Sequence, residues 1–139
     1  FLRTGTSWAQ QTYFKASTPG GGDYFGCSVS LSSDGNTMAV GALREESNAT
    51  GLNGNESNNG SNDSGAVYLF VQSGSTWTQH AYLKASNPTA GDYFGNKVAL
   101  SADGQSVAVG AYWEDGNAQG IQGNPNNDSS SQSGAVYLY

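Results

Sequence analysis

Apolar and polar residues alternate along this chain with a period of two, or apolar residues form short continuous runs, and neither pattern is helical. Glycine, serine and aspartate interrupt the runs every eight to twelve residues or so, which is typical of short strands joined by turns. The sequence therefore predicts an all-β fold. The predicted strands are FGCSVSLS, TMAVGAL, GAVYLFVQ and TWTQHAYLKAS, followed by FGNKVALS, SVAVGAY and GAVYLY.

The whole pattern occurs twice. The chain aligns on itself without a gap at an offset of 69 residues, and about half of the paired positions are identical. This offset places a first repeat at residues 1–69 and a second at 70–139. We expect residues that are the same in both repeats to serve the shared fold. Residues that differ are where a particular activity is expected to lie.

Three motifs recur in each repeat: YFG, then VGA at the end of the second strand, then SGAVYL. With the W-x-Q-x-x-Y-x-KAS stretch before each DYFG, they resemble the FG-GAP repeat of integrin-α-type β-propellers, in its long-loop extracellular version. The resemblance implies two four-stranded antiparallel blades. Because the second repeat lacks its last strand and propellers have about four to eight blades, we expect completion by further repeats or by other copies.

Aromatic and small residues of these motifs are expected to pack neighbouring blades together. Phe25 and Phe94 would fill the wedge between blades, and glycine beside them would let two backbones approach. The recurring Trp8 and Trp77 are also expected to pack. The fold-motif positions are Phe25, Gly26, Gly41, Ala42, Phe94, Gly95, Gly110 and Ala111.

Integrin-type repeats often carry a calcium loop between their first two strands, and this chain departs from that pattern. Only Asp34-Gly35 and Asp103-Gly104 stand there, and one carboxylate is too few for an ion that takes six to eight oxygen ligands. Both pairs are therefore predicted to form hairpin turns.

Two long loops, REESNATGLNGNESNNGSNDS and WEDGNAQGIQGNPNNDSSSQS, each occupy about a third of a repeat. Loops of this length are usually functional or disordered. One interpretation is a calcium site; the other is a loop ordered by its own side-chain to backbone hydrogen bonds. The candidate calcium ligands are Glu45, Glu46, Asp63, Glu114, Asp115 and Asp128. In a eukaryotic source, the N-x-S/T sites could carry glycans: Asn48, Asn55, Asn59, Asn62 and Asn127.

The composition of the chain argues against two classes of partner, nucleic acid and membrane. A formal net charge of -6 with only five Lys and Arg residues gives no basic stripe for nucleic acid. No apolar run approaches the ~20 residues of a membrane span, so membrane insertion is not expected. The N-terminus lacks an initiator Met and the features of a signal peptide, so we expect a mature or excised piece.

Catalysis finds little support in the sequence, and the protein is not expected to be an enzyme. The single cysteine, Cys27, corresponds to Asn96, and the single histidine, His80, corresponds to Gln11. Neither change between repeats suggests a nucleophile or a base. The recurring Asp23 and Asp92 are expected to cap turns and to form local ion pairs with the lysines that recur before them, Lys15 and Lys84.

The best binding candidates are aromatic residues that do not recur. Tyr112 and Trp113 stand opposite Leu43 and Arg44 of the first repeat. An exposed aromatic pair beside carboxylates can stack on a sugar ring or anchor a protein contact. The predicted ligand site is Tyr112, Trp113, Glu114 and Asp115.

Three functions follow from these observations and the resemblance. The first is a non-enzymatic adhesion or recognition module, secreted or on the cell surface, that binds a protein or a carbohydrate. The second is a structural subunit of a filament or ring, in which copies associate head to tail by sharing strands. The third is an accessory propeller of a secreted hydrolase.

Overall fold

The structure, a computed structural model, describes residues 1–139. It contains strands and turns and no helix, so none of its elements is a helix that could cross a membrane. The strands are β1 (Leu2–Thr4), β2 (Ser7–Ala9), β3 (Phe25–Leu31), β4 (Thr37–Ala42), β5 (Ala66–Ser73), β6 (Thr76–Leu83), β7 (Lys97–Leu100), β8 (Val107–Ala111) and β9 (Ala135–Leu138).

Two antiparallel sheets form the body of the molecule. The first sheet has four strands in the order β3-β4-β5-β6, and the second has three in the order β7-β8-β9. The all-β prediction is confirmed, and the second sheet has no fourth strand, as the sequence predicts. β5 runs across residue 69, so the first sheet takes its last strand from the second sequence repeat.

Both Asp-Gly pairs form the predicted hairpin turns. Gly35 N–H donates to the carbonyl of Ser32 at 3.0 Å, and the Asp34 carboxylate accepts the N–H of Asn36 at 3.0 Å. Bonds from the Ser32 hydroxyl and from Asn36 keep the pKa of Asp34 below its usual range. The corresponding turn at Asp103 has the same arrangement, so these carboxylates are engaged in local turns.

The main hydrophobic core lies between the two sheets. Phe94 is completely buried there, and its ring meets Tyr137 edge-on at 5.4 Å. Phe94 therefore packs as a wedge between the two sheets. The buried residues of this core come from both sheets: Ala39, Val67, Ala81, Leu83, Ala85, Phe94, Val107, Val109 and Ala111.

A second core covers the opposite face of the first sheet. Its centre is Tyr68 and Tyr82, and Phe25 packs there edge-on against Tyr68 at 5.5 Å. The extended segment before β3 closes this core with Phe14 and Ala16. Phe25 therefore packs on its own sheet against the N-terminal segment, because no further sheet lies on that side.

Glycine allows the two sheets to touch through their backbones at Gly41 and Gly95, whereas the expected close approach at Gly26 and Gly110 is absent. A Cβ atom at Gly41 would lie 2.0 Å from the carbonyl oxygen of Gly95, and one at Gly65 would lie 2.0 Å from that of Phe94. The counterpart glycines face away from this contact and have free space beside them. A Cβ atom added at Gly26 would have no neighbour within 4 Å, and one added at Gly110 would have its nearest neighbour 3.7 Å away.

The N-terminal hairpin copies the tip of the hairpin between β5 and β6. Leu2 pairs with Ala9, as Val71 pairs with Thr78 one repeat later. No sheet lies beside this small hairpin, and Trp8 is 65% exposed. The expectation that Trp8 packs is wrong, whereas Trp77 does pack, with its ring 5.4 Å from that of Phe14.

Candidate functional site

An aromatic cleft of about 570 Å³ opens at the rim where the two sheets meet. The first sheet supplies Tyr24, the start of β3 and the residues that follow β4, and the second sheet supplies Tyr93 and the residues that follow β8. We call this site the aromatic cleft. Its lining is Tyr24, Phe25, Gly26, Cys27, Leu43, Arg44, Tyr93, Tyr112 and Trp113.

The two tyrosines of the DYFG motifs have an unusual backbone. Tyr24 and Tyr93 have φ angles of 54° and 55°, which costs a residue other than glycine about 1–2 kcal/mol. Each lies in a tight turn, in which its carbonyl accepts the N–H of Cys27 or of Asn96 at 3.0 and 3.1 Å. Backbone strain of this kind is concentrated at functional sites, and here it fixes both rings at the cleft.

Aromatic rings and one cation surround the opening. The Tyr93 ring stacks on Tyr112 at 5.5 Å and meets Trp113 edge-on at 5.0 Å. The Arg44 guanidinium lies 5.1 Å from the centre of the Tyr24 ring and 5.9 Å from that of Tyr93. The Arg44 Nε atom is 3.9 Å from the Asp63 carboxylate, so Arg44 is oriented by both rings and by one partial ion pair.

Several of these rings still offer surface to a ligand. Tyr24 is 58% exposed, Tyr112 48% and Trp113 39%. Aromatic faces provide rigid apolar contact area, and the guanidinium adds donors in a planar fork that suit hydroxyl or carboxylate oxygens. The cleft can therefore bind a flat or ring-shaped polar group.

The predicted ligand site is only partly gathered at this cleft. Tyr112 and Trp113 line it, whereas Glu114 and Asp115 do not. Glu114 is buried and accepts the N–H of Gly116 at 2.9 Å, and Asp115 accepts the N–H of Gln132 at 2.6 Å. Asp115 bonds within its own loop, and Glu114 also accepts an N–H of the Asn87 side chain at 3.1 Å.

Sequence reasoning missed three residues of the cleft. Tyr24 and Tyr93 are identical in the two repeats, so identity assigned them to the fold. Their positive φ angles are not visible in a strand pattern. Arg44 stands opposite Trp113, at a position where the repeats differ, and that difference was a signal that could have identified it.

The candidate calcium ligands are not brought together. The structure contains no group of three or more His, Cys, Asp or Glu side chains that could hold a metal ion. Instead the first loop is ordered by its own bonds, such as Ser47 Oγ to Asn55 O at 2.8 Å and Asn48 N to Asn58 Oδ1 at 2.8 Å. Calcium binding stays a prediction, and an unchanged unfolding midpoint in calcium and in chelator would count against it.

A buried ion pair joins the first loop to Lys84, the residue that follows β6. The Lys84 ammonium is fully buried, 2.9 Å from Glu45 and 2.8 Å from the hydroxyl of Ser64. Burial lowers the pKa of Lys84, and the Glu45 charge opposes that shift. Asp92 caps its turn as predicted, accepting the N–H of Thr89 at 2.8 Å.

The expected local ion pairs are wrong. Lys84 bonds Glu45 from the distant loop, and Lys15 is exposed and forms no ion pair. The Asp23 carboxylate accepts the N–H of Gly20 at 2.7 Å, which confirms its role in the turn. A lysine that meets its partner 39 residues earlier cannot be matched from local spacing.

The other singled-out residues lie at the surface. His80 is exposed on β6. Partial burial of the Cys27 thiol raises the pKa of that thiol, which disfavours the reactive thiolate. Glycosylation at the five exposed asparagines stays a prediction: Asn48, Asn55, Asn59, Asn62 and Asn127.

Repeated antiparallel sheets stacked through paired glycines and a phenylalanine wedge define a repeat protein built from blades of the β-propeller type. Comparison with known families matches residues 8–70 and residues 77–139 to the FG-GAP repeat. The chain belongs to the FG-GAP repeat family. Searches of curated proteins and of solved structures gave no match.

Proposed function

We propose that this chain is a non-enzymatic recognition module that acts outside the cell and binds a carbohydrate or a protein in the aromatic cleft. The observation that carries this proposal is the exposed set of aromatic rings around Arg44 at the junction of the two sheets. FG-GAP repeats are typical of extracellular proteins, which supports the location.

The position of the cleft within the repeats supports a binding role. Leu43 and Arg44 of the first repeat meet Tyr112 and Trp113 of the second at one opening, and these are positions where the repeats differ. Residues needed only for the fold have no reason to differ there. A sugar ring is the ligand that best matches stacked aromatic faces beside a hydrogen-bond donor.

The chemistry of the described residues favours binding over catalysis. A nucleophile needs an adjacent base, and the single histidine, His80, is exposed on β6 outside the cleft. The third hypothesis, an accessory propeller of a hydrolase, would require a catalytic region outside these residues. The proposal therefore assigns no catalytic residue to this chain.

Binding to arrayed glycans and to whole cells tests the proposal. Trp113→Ala is expected to weaken binding at least ~10-fold, because truncating a central aromatic hot-spot residue commonly costs about 2 kcal/mol or more. The matched control is Phe1→Ala, which removes an exposed aromatic side chain outside the cleft. Equal binding by wild type and Trp113→Ala would overturn the assignment of the cleft.

Assembly of copies into a ring or filament is the second candidate function. Two features favour this function. The outer edge of β9 pairs with no strand. In addition, the surface beside Gly26 and Gly110 is unoccupied, whereas their counterparts Gly95 and Gly41 form the close backbone contact between the two sheets. Unpaired strand edges are sites where another strand adds.

A further inference from the structure

A groove of about 860 Å³ runs between β9 and the loop at residues 113–133, and Glu114 lines it. We propose that this groove, called here the β9 groove, binds residues 7–18 of a second copy, whose Lys15 ammonium pairs with Glu114. The proposal deepens the second candidate function and rests on it. The first sheet shows how such a groove is filled.

In the first sheet the corresponding space is occupied by β6 and the residues after it. Lys84 N–H donates to the carbonyl of Gly51 at 2.8 Å, and Gly51 N–H donates to the carbonyl of Ala85 at 3.3 Å. The loop backbone thus pairs with the strand as an extra ladder. At the centre, the buried Lys84 ammonium bonds Glu45.

The β9 groove repeats this site without its lysine. Glu114 is the counterpart of Glu45 at the offset of 69, and it is only 4% exposed. Ser133 Oγ donates to the carbonyl of Glu114 at 3.2 Å, as Ser64 Oγ donates to that of Glu45 at 3.3 Å. The hydroxyl that accepts the lysine in the first sheet is therefore also in place.

The Glu114 charge has no cation in this chain. Its oxygens accept N–H groups of Gly116 at 2.9 Å and of Asn87 at 3.1 Å, and no basic side chain pairs with it. A buried carboxylate without a cation is unfavourable unless a partner arrives. The groove is therefore complementary to a strand that carries a lysine.

Lys15 is the lysine that matches. It is the counterpart of Lys84 at the offset of 69, and it is exposed and unpaired. Shifting the observed β5–β6 pairing by one repeat places Phe14 opposite Val136 and Tyr13 opposite Tyr137. In that register Lys15 reaches Glu114 as Lys84 reaches Glu45.

Residues 7–18, the donor segment, already follow the path that docking in the β9 groove requires. Phe14 and Ala16 pack on the first sheet as Leu83 and Ala85, their counterparts, pack on the core between the sheets. A segment that is already ordered loses less conformational entropy on docking.

Polar contacts beyond the lysine repeat the same path. Thr18 Oγ1 donates to the carbonyl of Glu56 at 3.1 Å, and its counterpart Asn87 donates to that of Pro125 at 2.7 Å. The donor copy would therefore dock without rearrangement of this segment.

The proposed contact lacks two bonds of the contact within the chain. Between the sheets, Val98 N–H donates to Ser28 Oγ at 3.0 Å and Leu100 N–H donates to Ser30 Oγ at 2.9 Å. Lys97 and Ala99 stand at the positions of those two serines one repeat later. Each copy would present its β9 groove to the next, and about two to four copies would supply the four to eight blades of a closed ring.

Light-scattering mass measurements on the chain and on two charge variants test the proposal. Wild type is expected to form a multimer. Lys15→Glu and Glu114→Lys are each expected to associate at least ~10-fold more weakly, because each sets like charges against each other in the groove. Mixing the two variants is expected to restore assembly, since each contact between unlike variants pairs a lysine with a glutamate, and assemblies of two or four copies can alternate the two variants.

The mixture also controls for folding, because a variant that failed to fold could not be restored by its partner. Asp128→Lys makes the same charge change at an exposed position of the same loop and is expected to assemble as wild type does. A monomeric wild type at high concentration would overturn both the assembly function and the β9 groove. Wild-type assembly that the single variants leave unchanged, or that mixing fails to restore, would overturn the β9 groove alone.

Discussion

Lys84 shows how one side chain can join a long loop to a strand. Its ammonium is fully buried and bonds both Glu45 and Ser64. The repeated KAS motif correctly marked Lys84 as part of the fold. The partner of Lys84 could not be predicted from spacing in the sequence, because it is the path of the long loop that brings the distant Glu45 to the Lys84 ammonium.

Removing this ammonium is expected to destabilise the fold strongly. Lys84→Ala leaves Glu45 buried without its cation, which typically costs about 3–5 kcal/mol of the free energy of unfolding. Denaturant unfolding in dilute solution measures the loss. Lys15→Ala, at the exposed counterpart, is the matched control and is expected to change stability by less than about 0.5 kcal/mol. Similar losses in both variants would contradict the role of burial.

Asp92 is expected to give the stability of the protein a specific pH dependence. Burial raises its pKa to about 6, although the Thr89 N–H opposes the shift and the charges of Glu114, Asp115 and Asp128 add to it. The unfolded chain titrates near the ordinary value of 3.8. Between pH 3.8 and about pH 6 the folded state therefore binds a proton at Asp92 that the unfolded chain does not bind. The contribution of Asp92 to the free energy of unfolding therefore rises as the pH falls from 7 to 5.

The unfolding midpoints at pH 7 and pH 5 measure this contribution. Asp92→Asn keeps an oxygen acceptor for Thr89 but has no proton to bind, so it is expected to lose the stabilisation on acidification. Asp23→Asn makes the same change in the first repeat and serves as the control. If Asp92→Asn kept the full wild-type pH dependence, another group would have to be responsible.

At the scale of elements, the sequence predicted every strand of the two sheets and both Asp-Gly turns. Period-two patterning and a turn residue at each strand end are local signals, and the internal repeat supplied each of them twice. The N-terminal hairpin was different. Trp8 matches Trp77 in sequence, but packing requires a neighbouring sheet, and the structure has none there.

The contact between sheets should tolerate no side chain at Gly41. Gly41→Ala would place a Cβ 2.0 Å from the carbonyl oxygen of Gly95, so the sheets must separate, and we expect a loss of about 1–3 kcal/mol as in other overpacked sites. Gly110→Ala is the matched control, because its Cβ has 3.7 Å to its nearest neighbour. Unfolding curves compare the two, and equal stability would show that the sheets do not meet through Gly41.

At the scale of the whole molecule, the repeat predicted the architecture better than it predicted the site. Tyr112 and Trp113 were found because the repeats differ there. Tyr24 and Tyr93 were not found, because they are identical in the two repeats and their rings form a cleft only where the two sheets meet. The cleft depends on how the repeats stack, and that arrangement is not contained in either repeat alone.

We infer that the aromatic cleft is the ligand-binding surface of this FG-GAP protein. Two-dimensional NMR of the dilute chain, titrated with the glycan that binds best on the array, tests it directly through the three tryptophan side-chain N–H signals. We expect the Trp113 signal to shift while those of Trp8 and Trp77 stay in place. A shift at Trp8 or Trp77 with an unchanged Trp113 would contradict it.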